Sequence, residues 1–128
     1  MMNLEKWINT PALIIGAACT IFLGAHDTLA HVLMVLMIID YASGILGAVI
    51  NKNLNSKMGF TGIAKKVLML LIIAAAVEIN KLIPDVEIRT LVIYFYIANE
   101  GLSIIENSGK IIPFPPKLKA YFEQLREG

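Results

Sequence analysis

Four apolar stretches, named segments one to four, follow one another along the chain. Segment one covers Pro11 to Ala25 and is short unless Trp7 joins it, whereas the others cover Thr28 to Ile50, Gly62 to Ile83 and Ile88 to Ile105. A helix rises about 1.5 Å per residue and needs about 20 residues to cross a hydrocarbon core of about 30 Å. The pattern predicts an all-α integral membrane protein with three to four transmembrane helices. Whether segment one crosses the bilayer is left open by the sequence.

The polar stretches predict short loops and a separate tail. Residues 51–56 are polar and turn-prone, and Pro84 ends segment three because proline cannot continue a helix. Prolines follow Gly109, and apolar residues then recur at helical spacing, at Leu118, Tyr121, Phe122 and Leu125. We therefore expect a transmembrane helical domain, residues 1–109, and a cytoplasmic Pro-rich turn with a short amphipathic helix, residues 110–128. This helix is expected to lie against the membrane or a neighbouring subunit, with docking of a separate partner as the alternative.

Composition agrees with a membrane protein. Hydrophobic residues make up 57% of the chain and charged residues 16%, below the roughly 25% of soluble domains. A net charge of +1 gives no indication of a nucleic-acid partner. The single cysteine, Cys19, excludes a disulfide within the chain and is expected to be a small buried side chain. A cleaved signal peptide is an alternative for segment one, but its near-neutral start argues against cleavage.

The basic residues are sorted to one side of the membrane. Lysine and arginine in short loops stay in the cytoplasm, and all but Lys81 and Arg89 fall before segment one, between segments two and three, or after segment four. Four of them, Lys52, Lys57, Lys65 and Lys66, form the basic loop that determines topology. The C-terminus is therefore predicted to be cytoplasmic, and so is the N-terminus if segment one spans. Lys65 and Lys66 are expected to extend to the headgroups.

Segment four has one polar face. Its members follow steps of three and four residues and are Tyr96, Asn99, Glu100, Ser103, Glu106 and Asn107. A charged side chain in the bilayer centre is costly, so Glu100 should be protonated, pair with a neighbouring helix or face water. For Glu106 and Asn107 the alternative is that they mark the end of the helix.

Segments two and three also contain acidic residues. Asp40 adjoins a strip of small residues, Ser43, Gly44 and Gly47, which allows close helix contact. Whether this strip packs within one subunit or between subunits is left open by the sequence. Glu78 is expected to pair with Lys81 one turn on, with a deeper functional role as the alternative. We predict that these residues and the polar face of segment four contact other subunits or line a pore.

Catalytic motifs are not apparent in the sequence. His26 and His31 do not have metal-ligand spacing with any acidic cluster, and no catalytic triad, phosphate loop or CxxC pair occurs. We therefore expect neither an enzyme nor a bound cofactor or metal.

Three stretches resemble a known family. They are residues 39–44, residues 51–66, and residues 95–107 with the Pro-rich turn that follows. Together they resemble the phage holins of the toxin-secretion and phage-lysis group, from phages and prophages of Gram-positive bacteria, over most of the chain from Leu36 onward. The resemblance implies a protein of the bacterial cytoplasmic membrane that accumulates harmlessly and then forms homo-oligomeric lesions. An endolysin or a toxin then leaves the cell, without necessarily touching the holin.

Two other functions are left as alternatives. Small proton-coupled multidrug exporters also have four short spans and a membrane-embedded glutamate, but their acidic residue belongs to the first span, where this chain has none. A membrane scaffold that anchors its C-terminal helix is the other. For a holin, we expect the face from Asn99 to Glu106, together with Asp40, to control the change from storage to lesion.

Overall fold

The computed structural model describes residues 3–112 and 115–127. Within these residues the fold is all-α, as predicted, with five helices and no strands. The helices are α1 (Leu4–Leu23), α2 (Thr28–Ile50), α3 (Ser56–Leu82), α4 (Ile88–Gly109) and α5 (Pro116–Glu127). The first four are long and apolar enough to cross a membrane. Segment one therefore qualifies as a span by length and composition, because α1 begins well before Pro11.

Helices α3 and α4 also extend beyond their predicted bounds. Helix α3 begins at Ser56 instead of Gly62 because Asn55 caps its first turn, its side-chain oxygen accepting from the Met58 amide at 2.8 Å. Helix α4 continues past Ile105 to Gly109. The longer α3 changes the position of the lysines that follow, since they now lie inside a helix and not at its start.

Helix α4 is central in the bundle. It packs against α2, α3 and α5, whereas α1 packs against α3. An apolar core joins α1 to α4 in the half of the bundle that contains the turn between α1 and α2. Its buried members are Cys19, Leu23, Ala30, Leu33, Met37, Met69, Ile73 and Ile93. The prediction that Cys19 is buried is confirmed.

The opposite half of the bundle is more polar. We call its end the basic end, because Lys52, Lys57 and Lys110 lie there, around the loop between α2 and α3. Large apolar side chains remain exposed along the outside of the bundle, as in Ile14 of α1, Ile38 of α2 and Leu68 of α3. An exposed apolar exterior along the spans suits a bundle surrounded by lipid.

The tail helix α5 lies along α4 of its own chain. Its position against the membrane or a neighbouring subunit stays a prediction. A glycine makes the contact between α5 and α4 close. A Cβ atom at Gly101 would come within 2.5 Å of the Phe122 ring, so only a residue without a side chain leaves room for that ring.

Candidate functional site

A largely buried ion-pair network joins three helices near the middle of the bundle. The Lys66 ammonium on α3 donates to Asp40 Oδ2 on α2 at 2.6 Å and to Glu100 Oε2 on α4 at 2.9 Å. Glu100 is 2% exposed, so its carboxylate has little contact with the surroundings of the chain. Two carboxylates thus share one ammonium group. We call Asp40, Lys66 and Glu100 the Lys66 network.

Asn107 extends this network toward the basic end. Its Nδ2 atom lies 2.9 Å from Asp40 Oδ1, 3.1 Å from the Asp40 carbonyl oxygen and 3.1 Å from Ser43 Oγ. Ser43 in turn donates its hydroxyl to the Asp40 carbonyl at 3.0 Å. Asp40 therefore accepts hydrogen bonds from α3 and from α4, and both helices are linked to α2 through it.

The small residues of α2 allow this approach. A Cβ atom at Gly44 would lie 3.4 Å from Asn107 Nδ2, and one at Gly47 would lie 3.8 Å from the Asn107 carbonyl oxygen. In the single chain the strip of small residues is thus occupied by α4. Of the two alternatives for the strip of small residues, packing within one subunit is the one seen in the single chain.

A cavity of about 450 Å³ leads from the basic end to the network. Exposed Lys65 and Lys110 lie among its lining residues, as do Asn99 and Ser103 of the predicted polar face and the Lys66 network itself. Lys66 is ten residues into α3, which places it about 15 Å from the start of that helix. Polar side chains therefore continue from the basic end to the depth of the bilayer interior.

One expectation about the lysines is wrong. Lys66 does not extend to the headgroups, because α3 begins a further six residues upstream and directs this ammonium into the bundle. Lys65, by contrast, is exposed, and so are Lys52 and Lys57. Neighbouring lysines on one helix thus have opposite environments. The sequence contains a signal for this, the capping residue Asn55 ahead of Ser56, which the apolar pattern does not include.

The other predicted residues lie outside the network. Glu78 is exposed and accepts from Lys81 at 2.9 Å, which confirms the expected local pair. Tyr96 is partly buried against the apolar core, and Glu106 is exposed. The structure brings together Asp40, Ser43, Gly44, Gly47, Asn99, Glu100 and Ser103 around one cavity.

A second polar cluster lies at the end opposite the basic end. Arg89, in the first turn of α4, donates from both terminal nitrogens to the Asp27 carboxylate at 2.9 and 3.0 Å. Its Nε donates to the Leu23 carbonyl at the end of α1. Asp27 also caps α2, accepting from the Ala30 amide at 3.0 Å. We call Arg89, Asp27 and the Leu23 carbonyl the Arg89 clamp.

The clamp is electrostatically strong. The hydrogen bonds from Arg89, followed by the one from the Ala30 amide, lower the pKa of Asp27 from 3.8 to about 2. Asn80 adds a connection to α3, because its side-chain oxygen accepts from the Arg89 amide at 3.0 Å. The clamp was not predicted, although an aspartate directly before an apolar helix is a recognisable capping signal.

Neither cluster has the composition of a metal or catalytic centre. Among residues 3–112 and 115–127, no group of three or more His, Cys, Asp or Glu residues is placed to hold a metal ion. The Lys66 network has acceptors and a donor at hydrogen-bond distance, and its chemistry is that of ion pairing and hydration. Such groups can exchange their partners for water or for equivalent groups of another copy.

Sequence comparison places the chain among known proteins. The bacteriophage holin family matches over residues 17–127. A Clostridium perfringens protein, named as an uncharacterized 14.9 kDa protein in the nagH 3' region, is 37% identical over 98% of this chain and 97% of its own length. A probable holin of Bacillus phage phi105 is 34% identical over 82% of this chain and 76% of its own. No solved structure matches the chain.

The family match includes the Lys66 network, the Arg89 clamp and all of the tail helix. It is not a family of enzymes, and its members act in membranes, in agreement with four helices of spanning length. The chain is therefore a multi-pass membrane protein that belongs to the bacteriophage holin family.

Proposed function

We propose that this protein is a holin of the bacterial cytoplasmic membrane, which accumulates as a harmless subunit and then assembles into homo-oligomeric lesions. The lesions release an endolysin or a toxin at a set time and lead to lysis of the host cell. Family membership and the phage phi105 relative support the role in general. The observation that carries the proposed mechanism is the Lys66 network, which satisfies the polar groups of three spans inside one chain.

The network supports harmless storage. Isolated carboxylate and ammonium groups are costly in hydrocarbon, but here each has an oppositely charged partner on a neighbouring helix. The subunit can therefore remain in the bilayer with few polar groups facing lipid. Its exposed surface is largely apolar along the spans, which suits dispersion as single copies in the membrane.

The same network supports a second state. Two carboxylates share one ammonium, so the group has an excess negative charge when both carboxylates are ionised. Water or polar groups of another copy solvate such a charge better than the interior of one subunit. Separation of α2, α3 and α4 at the basic end would expose Asp40, Glu100 and Asn107 to a lesion. Storage and lesion are then two packings of one set of helices.

We propose an orientation with the basic end in the cytoplasm. The lysines at the loop between α2 and α3 and after α4 support it through the preference of basic loops for that side. Residues 110–128 then belong to the cytoplasmic side, and the Arg89 clamp faces the cell exterior. Both termini are cytoplasmic when all four helices span.

The alternatives lose support. The chain belongs to the holin family, and its buried glutamate is paired with Lys66, whereas an exporter requires an acidic residue that is free to exchange protons and substrate. A scaffold would require no polar cavity in the middle of its spans.

The test is to change the charge balance of the network. Asp40→Asn and Glu100→Gln each leave one carboxylate for one ammonium, so we expect both variants to delay the onset of lysis. The double variant leaves Lys66 without a carboxylate and should lyse early or fail to accumulate. Glu87→Gln is the matched control, because this glutamate is exposed at the start of the same helix and lies outside the predicted polar face.

Expression in a bacterial host provides the measurement, with a membrane-potential dye and release of a cytoplasmic enzyme as the readouts. A holin should produce an abrupt loss of potential followed by release. Unchanged lysis timing together with unchanged oligomers in the Asp40 and Glu100 variants would contradict the role of the network.

A further inference from the structure

The position of the tail helix is unusual for a membrane protein. Helix α5 lies along α4, and the Phe122 ring is seated directly on Gly101. Gly101 is eight residues before the end of α4 at Gly109, which corresponds to about 12 Å along the helix. If α4 spans the bilayer, this seat lies below the headgroups, at the depth of the hydrocarbon chains.

The composition of α5 does not suit that depth in contact with lipid. None of its 12 residues, all of which the structure describes, is buried, and its side chains are far more polar than those of the spans. It contains five charged side chains, which are Lys117, Lys119, Glu123, Arg126 and Glu127. Charged groups at hydrocarbon depth face protein or water and not lipid. Lys119 and Arg126 share the helix face of Phe122, which is seated on α4, whereas exposed Lys117 and Glu127 lie away from that face. The charged side chains that point away from α4 require water.

Helix α4 has a matching arrangement. Its cavity-facing residues Glu100 and Ser103 are directed to α2 and α3, whereas Gly101 between them is directed to α5. Protein thus covers α4 on the sides of α2, α3 and α5. Beside these contacts, α5 presents exposed apolar residues, Leu118, Tyr121 and Leu125, along one strip, and charged residues on another. The charged strip is the part that lipid should not cover.

We propose that α5 is a re-entrant plug, seated on Gly101 through Phe122, whose charged side faces a water-filled space enclosed by copies of this chain. This inference rests on the proposed function, because it assumes that the copies assemble. In the closed assembly the α5 helices occupy the enclosed space. Their departure from Gly101 widens it enough for a protein to pass.

A reversible crosslink tests the plug in the full-length chain. Cys19 is replaced by alanine, and Gly101→Cys and Phe122→Cys are combined, which removes the ring and places two thiols at the seat. The protein is reconstituted in vesicles of phosphatidylglycerol and phosphatidylethanolamine that contain small and large fluorescent dextrans. We expect oxidation to abolish release of the large dextran and a reductant to restore it. The pair Gly101→Cys and Gln124→Cys is the control that should not crosslink, because position 124 lies on the side of α5 away from Phe122.

A second measurement locates the charged side of α5. A single cysteine at position 117, on the side of α5 away from Phe122, should react with a membrane-impermeant thiol reagent, and a fluorophore attached there should not be quenched by nitroxides on the lipid chains. Quenching by these lipids would overturn the plug, and so would the absence of a crosslink between positions 101 and 122. Equal release by oxidised and reduced protein would overturn it as well. Failure of both forms and of the unmodified chain to release any dextran would instead overturn the proposed function.

Discussion

The two polar clusters of this bundle differ in charge balance and in surroundings. At the Arg89 clamp one guanidinium meets one carboxylate through two parallel hydrogen bonds, near the bundle surface. At the Lys66 network one ammonium is shared by two carboxylates, deep among the spans and beside a cavity. The clamp is balanced and geometrically specific, whereas the network is neither. The bundle is thus closed at one end and able to rearrange at the other.

This difference gives a direction to any opening movement. The clamp connects α1, α2 and α4, and Asn80 adds α3, so all four spans are tied together at that end. The apolar core also lies in that half. Separation of helices should therefore begin at the basic end, with the clamp as the fixed point. The following predictions test whether the two ends differ in this way.

The largest effect is expected at Lys66. Lys66→Met leaves the buried Glu100 and the half-buried Asp40 without a cation, and loss of one partner of a buried ion pair costs about 3–5 kcal/mol of unfolding free energy. Unfolding by denaturant in detergent micelles measures it. Lys65→Met is the control, since this neighbour is exposed and its loss should cost less than about 0.5 kcal/mol. Equal destabilisation of the two variants would contradict the buried network.

Restoring neutrality should recover much of that loss. The triple variant Asp40→Asn, Lys66→Met, Glu100→Gln has no charge at the site, and neutral replacements of buried ion pairs are often well tolerated. We expect its unfolding free energy to lie within about 1–2 kcal/mol of the original chain. A triple variant as unstable as Lys66→Met alone would show that lost packing, and not charge, dominates.

At the clamp the effect should be smaller. Arg89→Gln removes the paired hydrogen bonds to Asp27, and we expect a loss of about 1–2 kcal/mol, because Asp27 is partly exposed to solvent. Arg89→Lys retains the charge without the planar fork and should recover less than half of it. The same detergent unfolding measures both, and the lysis timing of Arg89→Lys should change little.

The contribution of the Arg89 clamp to the unfolding free energy should also persist at mildly acidic pH. Because the pKa of Asp27 is lowered to about 2 in the folded chain, its contribution is fully present above its ordinary value of 3.8. The contribution is lost only as pH falls from that value through about 2. The difference in unfolding free energy between the original chain and Asp27→Asn should therefore be constant from about pH 7 to pH 5. A difference that disappears near pH 5 would show that the ion pair is weak.

The smallest effect is expected at the exposed pair between Glu78 and Lys81. Surface pairs one helical turn apart contribute about 0.3–0.5 kcal/mol, so Lys81→Ala should be nearly neutral. Thermal unfolding in detergent checks this. A loss as large as that at Arg89 would indicate a hidden contact of Glu78 in the assembled protein.

The apolar pattern predicted the helices well because span length is set by bilayer thickness. The bounds of α2 agree with segment two, and α4 begins where segment four begins. Contacts between helices were not predictable in the same way. The sequence marks Asp40 and Glu100 as acidic residues inside apolar segments, but it predicts their shared partner Lys66 at the membrane surface.

Lys66 was predicted at the membrane surface because segment three was predicted to begin at Gly62, whereas α3 begins at Ser56. Residues 56–61 are not apolar enough to be counted with segment three, yet Asn55 caps a helix there. Similarly, Asp27 and Arg89 are 62 residues apart in sequence, and the packing of α2 against α4 brings them together. Pairings of this kind depend on helix rotation and order in the bundle, which hydrophobic periodicity does not determine.

The natural chain contains its own probe of helix α1. Cys19 is the single thiol and is 7% exposed, in the apolar core where α1 meets α3. The rate at which Cys19 reacts with a small alkylating reagent therefore reports when α1 leaves the bundle. Slow alkylation during lesion formation would mean that α1 stays docked while the basic end opens. Rapid alkylation at the time of lysis would instead show that α1 separates from the bundle when the lesion forms. The natural cysteine makes this measurement possible in the unmutated chain.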